Sequence, residues 1–267
     1  MEKLGFIGMG NMAKALAEGF VQKEVIKKEQ IFAYAPNQEK LKANAEIIGF
    51  TPVASLNDLC GQCDTLLVAC KPYQIEDVLA SLGKSLKGKT LVSVAAGWDY
   101  EKYMAVFKDL KISDVRVQFI MPNTPACVSE GVFLFEQTNS LEIMERGDLI
   151  QMFEELGVVI ELPSNLMGIG GAISGCGPAF LDLMMEAYAD AAVKYGIPRN
   201  TAYKMVSQTV LGSAKLQIET GKHPAILKDE VCSPGGTTIR GVAALEEKGF
   251  RDACISSIDA IMEFKKN

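Results

Sequence analysis

The first apolar run of this chain, Leu4-Gly5-Phe6-Ile7, ends in Gly8-Met9-Gly10-Asn11-Met12-Ala13 and passes directly into a helical pattern. Strand, glycine turn and helix in that order form the dinucleotide fingerprint in its Gly-x-Gly-x-x-Ala version. Gly8 permits the tight turn, Gly10 lets the backbone approach a pyrophosphate, and Ala13 lets the helix lie close to the strand. A helix start also offers unpaired backbone N–H groups, and its dipole favours an anion.

The segments that follow agree with this start. Short apolar runs at residues 4–7, 31–35, 65–70, 90–95, 115–120, 132–135 and 158–161 read as strands. Helical periodicity fills most gaps, for example at 11–21, 38–48, 74–82, 100–107 and 142–156. Such alternation predicts a doubly wound α/β sheet, mostly parallel. After Pro163 the strands stop and the rest reads as helices, with breaks expected at 168–171, 175–178, 196–200, 221–224 and 233–236. The predicted domains are therefore 1–163, binding a dinucleotide, and 164–267, helical.

Unusual residues follow the predicted strands directly. In a parallel sheet these positions share the carboxyl edge, where open α/β folds bind ligands. The expected cofactor residues are Gly8, Met9, Gly10, Asn11 and Met12; Ala35, Pro36 and Asn37; Ala69, Cys70, Lys71 and Pro72; Ala95, Ala96 and Gly97; and Met121, Pro122 and Asn123. The fingerprint ordinarily continues with an acid at the end of the second strand, gripping the ribose 2′-hydroxyl. Here that place reads Ala35-Pro36-Asn37, with Lys40 and Lys42 about a turn further on. No acid repels a 2′-phosphate, so NADPH is expected, with NADH as the alternative. Asn37 also suits a helix N-cap, and the two roles coexist.

Composition narrows the function classes. The 267 residues are 48% hydrophobic, enough for a substantial core, and the net charge is −6 without a Lys/Arg block. Nucleic acid is therefore not an expected partner. No charged leader precedes an apolar segment, and no apolar stretch is read as long enough to span a bilayer, so a cytoplasmic protein is expected. The seven Cys cannot all pair internally. Cys60-Gly61-Gln62-Cys63 lacks a second pair or a nearby His, so no metal site is expected. Helix-end thiols fit it better than a redox pair.

In the C-terminal part, Lys228 to Gly241 includes Ser233-Pro234-Gly235-Gly236-Thr237-Thr238 and leads into another helical pattern. Glycines admit a ligand to the backbone, hydroxyls add adjustable hydrogen bonds, and a helix start follows. The string reads as a carboxylate or phosphate cradle; an ordinary capped loop-to-helix junction is the other reading. Upstream, residues 179–195 are apolar nearly all round, with Asp182, Glu186, Asp190 and Lys194 on one narrow stripe. A domain of about 100 residues has little interior for such a helix, so burial against a second subunit is expected.

With these motifs the chain resembles the pyrroline-5-carboxylate reductase family over essentially its whole length. The most specific match is the stretch 224–246, with Pro224, Leu227, Val231, Cys232-Ser233, Gly235-Gly236, Thr238, Gly241-Val242 and Leu245-Glu246. Supporting matches are the N-terminal fingerprint, Lys71-Pro72, Ala95-Ala96-Gly97, the 121–125 run, and Ser174-Gly175-x-Gly177-Pro178-Ala179. The resemblance implies an N-terminal Rossmann-type doubly wound sheet and a C-terminal all-α dimerisation domain, as a homodimer or a pentamer of dimers. It implies reduction of 1-pyrroline-5-carboxylate to proline by hydride from NADPH. Ser233, Gly235, Gly236, Thr237 and Thr238 are then the substrate residues, with Thr238 catalytic beside the imine nitrogen. Two departures stand out: Phe119, where an Arg is common, and Glu230, where some relatives have Asn. His223, the single His, reads as structural, and Lys71 as a cofactor-loop residue rather than an acid. The alternatives are a reductase of the β-hydroxy acid dehydrogenase type and a non-catalytic NADPH-binding relative.

Overall fold

A computed structural model of the chain describes residues 2–264. The chain divides into two compact units, residues 1–175 and 176–267.

The first unit is built on an eight-stranded sheet. In chain order it contains β1 (Leu4–Ile7), α1 (Asn11–Gln22), β2 (Ile31–Tyr34), α2 (Gln38–Ile48), β3 (Thr51–Pro52), α3 (Leu56–Gln62) and β4 (Thr65–Val68). Then follow α4 (Ile75–Leu82), β5 (Thr90–Ser93), α5 (Tyr100–Asp109), β6 (Arg116–Met121), β7 (Gly131–Glu136), α6 (Ile143–Glu154) and β8 (Gly157–Leu162). The strand order is β3-β2-β1-β4-β5-β6-β7-β8. All pairs from β3 to β6 are parallel; β7 runs antiparallel to β6, and β8 parallel to β7. The doubly wound, mostly parallel expectation holds, and the strand order reverses between β1 and β4. The two-residue β3 has no apolar run to announce it.

Alternation along each strand supplies two cores. Leu4, Phe6, Leu67 and Val92 face one cluster with Leu16, Phe20, Leu41 and Phe153. Ile7, Leu66, Val68 and Leu91 face the other with Leu59, Leu79, Tyr103 and Phe107. Helices α1, α2 and α6 therefore cover one face and α3, α4 and α5 the other. Strands buried on both faces read as continuous apolar runs, which is why they were legible. Phe153 ties the reversed end of the sheet to α1, lying 5.3 Å from Phe20 and 4.9 Å from Phe133 in edge-on contacts. Phe119, one of the two departures noted above, is a core residue with Leu134 and Met167.

After β8 the chain enters α7 (Ser164–Lys194), 31 residues without interruption. The breaks expected at 168–171 and 175–178 do not occur. The glycines there make room instead. A Cβ on Gly170 would sit 2.6 Å from Leu162 and 2.7 Å from Leu134, and one on Gly171 would overlap Met121 Sδ. These residues let the helix lie against β6, β7 and β8. Pro178 stands inside α7 and has no N–H for the carbonyl four residues back, at Ser174. Asn123 Nδ2 donates to that carbonyl at 3.0 Å, and Asn123 Oδ1 accepts from Val132 N–H at 2.8 Å. The helix therefore survives its proline because a loop side chain replaces the missing donor.

The unbroken helix also corrects the bilayer reading. By length and composition α7 is long and apolar enough to cross a membrane. Breaking the segment at its glycines and proline had hidden that length.

The second unit continues with α8 (Arg199–Thr220), α9 (Pro224–Glu230), α10 (Thr237–Glu247) and α11 (Phe250–Phe264). The breaks near 196–200, 221–224 and 233–236 fall between these helices as expected. The core of this unit is small: Ala189, Ala202 and Val206 are buried, with Met185 and Val193 among the residues packed on them. Large apolar side chains remain exposed, including Leu183 at 66%, Ile218 at 74% and Ile255 at 62%.

Replacing Asn123 by Ala orphans the Ser174 carbonyl and the Val132 N–H together. The expected loss is about 2–4 kcal/mol, read as a lower denaturant midpoint with an unchanged m-value. An unaltered midpoint would mean that water replaces both bonds.

Candidate functional site: a cavity at the strand ends and a cradle at a helix start

Strands β2, β1, β4 and β5 end level with one another. Tyr34 pairs with Ile7, Ile7 with Val68, and Val68 with Ser93. One more bond per strand continues the ladder: Gly8 N–H to Tyr34 O at 2.8 Å, Ala69 N–H to Ile7 O at 2.9 Å, and Val94 N–H to Val68 O at 3.0 Å. The loops that leave this common edge enclose a cavity of about 660 Å³. Of the expected cofactor residues, Gly8, Met9, Gly10, Asn11, Met12, Ala35, Pro36, Asn37, Ala69, Cys70, Lys71, Pro72, Ala95 and Ala96 line it. Gly97, Met121, Pro122 and Asn123 do not. Pro122 and Asn123 are buried, and Met121 faces α7. That loop follows a strand end like the others, but α7 covers it.

The two fingerprint glycines differ in their surroundings. Gly8 has φ +95°, and a Cβ there would lie 2.9 Å from the backbone of Ala69 and Cys70. It is required by the fold itself. Gly10 is the N-cap of α1, has no side-chain cap, and a Cβ there meets nothing within 4 Å. The first N–H groups of α1 therefore border open space, as an anion-binding helix start requires.

At the end of β2, Asn37 caps α2, its Oδ1 accepting from Lys40 N–H at 2.9 Å. The remaining polar group of its amide is a donor, suited to a phosphate. Gln38 Nε2 donates to Ala35 O at 2.8 Å and holds this turn closed. Burial pushes the Cys70 thiol up to about 11, so a neutral group rather than a thiolate lines the wall. Asn44, Gln74 and Tyr34 also line the cavity and were not foreseen. Asn37, Lys40 and Asn44 fall on one face of α2, a spacing that could have flagged Asn44. Its Nδ2 is buried without a partner among the described residues.

Cys60 and Cys63 are buried at the end of α3, on the core side. Cys60 Sγ donates to Ser85 O at 3.1 Å, and burial raises Cys63 to about 11. These are packed helix-end thiols without thiolate character.

The expected substrate residues cluster within the second unit. Gly236 N–H donates to Ser233 O at 3.0 Å, and Gly235 has φ +70°. Ser233-Pro234-Gly235-Gly236 is therefore a tight turn with Pro at its second place and a left-handed Gly at its third. A Cβ on Gly236 would overlap Ser233 Oγ. The turn delivers Thr237 and Thr238 as the first residues of α10, whose N-cap is Gly236 with no side-chain cap. Ser233, Gly235, Thr237 and Thr238 are exposed in the single chain. His223 caps α9, its Nδ1 accepting from Ala225 N–H at 3.2 Å, which is a structural duty. Glu230 pairs with Lys222 at 2.6 Å.

A doubly wound sheet with glycine-turn N–H groups at its switch point, followed by a helical region, defines the class of dinucleotide-dependent oxidoreductases with a separate C-terminal helical domain. Residues 3–97 match the family model described as NADP oxidoreductase, coenzyme F420-dependent, and residues 164–267 match pyrroline-5-carboxylate reductase dimerisation. The pyrroline-5-carboxylate reductase of Treponema pallidum (strain Nichols) is 39% identical over 97% of this chain and 98% of its own length. That of Escherichia coli (strain K12) is 38% identical over 98% and 96%. The crystal structure of Plasmodium falciparum pyrroline carboxylate reductase with NADP bound superposes with a TM-score of 0.88. It is 32% identical and covers 100% of this chain and 98% of its own. The chain belongs to the pyrroline-5-carboxylate reductase family.

The two glycines predict opposite phenotypes. Gly8→Ala is expected to lower the melting temperature by several degrees, since the added carbon meets the Ala69–Cys70 peptide and sits at a positive φ. Gly10→Val is expected to keep the melting temperature within about 2 °C and to weaken NADPH binding at least tenfold by filling the open space. Thermal melts and calorimetric titration of both variants check the pair.

Proposed function

We propose that this protein reduces 1-pyrroline-5-carboxylate to proline with NADPH, the cavity of the first unit holding the dinucleotide and the Ser233–Thr238 turn holding the substrate carboxylate. The observation that carries the substrate role is the uncapped start of α10. Its free N–H groups favour an anion, and neither Thr237 nor Thr238 is engaged as a cap. Family membership supplies the reaction class.

In this reading Gly8, Met9, Gly10, Asn11 and Met12 face the pyrophosphate, and Ala35, Pro36, Asn37 and Lys40 face the adenosine ribose. Ala69, Cys70, Lys71, Pro72, Ala95 and Ala96 complete the seat. The absence of an acid after β2, with the Asn37 amide and Lys40 in its place, favours NADPH over NADH. The bound dinucleotide supplies the hydride. Hydride at the imine carbon and a proton at nitrogen give the ring amine. Thr238 holds its hydroxyl toward that nitrogen, while Ser233, Gly235, Gly236 and Thr237 fix the carboxylate. The proton comes from solvent, before or after binding, because Thr is a weak acid. Acceleration then rests on orienting the two reactants. Asn123 in this account supports the fold rather than the cofactor.

Residues 1–163 form the dinucleotide-binding domain, and residues 164–267 bind substrate and dimerise. The exposed apolar side chains of α7, α8 and α11, too many for so small a core, support burial against a second copy. Dimers, or pentamers of dimers, in the cytoplasm complete the reading. An apolar α7 covered in this way needs no bilayer.

Purified protein is expected to oxidise NADPH only when pyrroline-5-carboxylate is supplied, with proline as product; no turnover with fresh substrate and either nicotinamide would sink the reading. Thr238→Ala is expected to lower kcat/KM by about tenfold to a hundredfold, from a lost hydrogen bond of roughly 1.5–3 kcal/mol. Thr238→Ser is expected to retain most activity, and neither change to alter the melting temperature. Equal kinetics for the two variants would remove the hydroxyl from the mechanism.

A further inference from the structure

We propose that Glu136, an acid outside the cavity, positions the 95–97 loop of the dinucleotide seat through the first turn of α5, and does so while it holds its proton. The proposal rests on the reading that the cavity takes a dinucleotide.

Glu136 ends β7 and is completely buried. Its Oε2 accepts from Tyr100 N–H, the first residue of α5, at 2.9 Å. Its Oε1 has no hydrogen-bond partner among the described residues. The same turn of α5 is tied to the loop before it. Lys102 Nζ donates to Gly97 O. Tyr103 hydroxyl donates to Ser93 Oγ at 3.0 Å, and Ser93 Oγ accepts from Ala95 N–H at 3.4 Å. Trp98 N–H closes the loop on Ala95 O at 3.1 Å. Ala95 and Ala96 line the cavity, so whatever shifts the start of α5 shifts its wall.

The charges around Glu136 favour the protonated acid. Burial raises its pKa, and Asp99 and Glu101 of α5 add to the rise, against the Ser164 hydroxyl of α7 and the Tyr100 N–H. From β6, Gln118 offers only an amide, which holds the Glu136 main-chain carbonyl at 2.8 Å. Arg146 of α6 is engaged by Gln118 Oε1 and Glu161. A proton on Oε1 removes the buried charge, while Oε2 still accepts from Tyr100 N–H. Ionisation instead leaves a charge away from water near Asp99 and Glu101, a cost that exceeds what the Ser164 hydroxyl and the Tyr100 N–H return.

The sign follows from linkage. The folded chain binds this proton more tightly than the unfolded chain. The stabilisation is therefore complete below the unfolded carboxyl's pKa and is lost as pH rises through the raised folded value. An anionic ligand seated by the adjoining loop favours the proton further, so dinucleotide affinity falls over the same rise.

The test measures NADP+ affinity by calorimetry, and melting temperature, from about pH 4.5, near the ordinary carboxyl pKa, to about pH 8.5 in the full-length protein and in Glu136→Gln. Gln keeps the shape and stays neutral, and the ligand's own titration cancels in the ratio of the two affinities. The unaltered protein is expected to lose affinity relative to the Gln variant by about threefold to tenfold toward high pH, because proton binding and ligand binding strengthen each other by the same factor. Its melting temperature is expected to fall more steeply over the range. A second variant, Asp99→Asn, preserves the α5 cap and removes one negative neighbour. It is expected to let Glu136 ionise more easily and so move the loss to lower pH. Superimposable profiles for the unaltered and Gln proteins, or an unmoved profile in Asp99→Asn, overturn this role alone. No dinucleotide binding at any pH in the unaltered protein overturns the cavity reading, and this proposal with it.

Discussion

The level ending of four parallel strands is the constraint on which the rest of the first unit depends. Because Tyr34, Ile7, Val68 and Ser93 lie in register, the loops that follow them leave the sheet on one line. Main-chain bonds from Gly8, Ala69 and Val94 carry that register one residue further. A slip of one residue in any strand would exchange the side chains it presents to the two cores and displace its loop from the cavity. Close packing in both cores opposes such a slip, and so the cores that stabilise the sheet also align the loops.

Helix α7 shows how a long element is held across unfavourable residues. Glycines at 170 and 171 lower its helix propensity, yet they allow the approach to β6, β7 and β8 that buries Met167 and Ala172. Pro178 removes a helix bond, and the Asn123 amide supplies another donor to the same carbonyl. The motif around Asn123 thus serves the helix leading into the second unit, while the loops of β1, β2, β4 and β5 form the cavity.

The second unit is built differently. Few of its side chains are buried within the single chain, and its apolar residues are spread over several faces of its helices. Such a unit is stable when a partner supplies the missing half of its core. Its most defined local feature is the Ser233–Gly236 turn, which depends on contacts within four consecutive residues and on the left-handed Gly235 rather than on burial.

By itself the sequence determined what local chemistry determines. Continuous apolar runs marked the strands, 3.6-residue periodicity marked α1, α2, α5 and α6, and Pro with paired Gly marked the turn before α10. The cavity residues from Gly8 to Ala96 were legible because each follows a strand and all such ends in a parallel sheet share an edge. Tertiary structure decided what depends on distant partners. Nothing local shows that Gly170 and Gly171 face strands, so they read as helix breaks. Nothing near residue 123 reveals that Pro178, far along the chain, leaves a carbonyl for Asn123 to fill. Glu136 lies just past the predicted 132–135 strand, and nothing in its sequence neighbours marks it. Only the fold, by burying it beside Tyr100, Asp99 and Glu101, made it an acid that favours its proton, because desolvation and long-range charge have no signature in neighbouring residues.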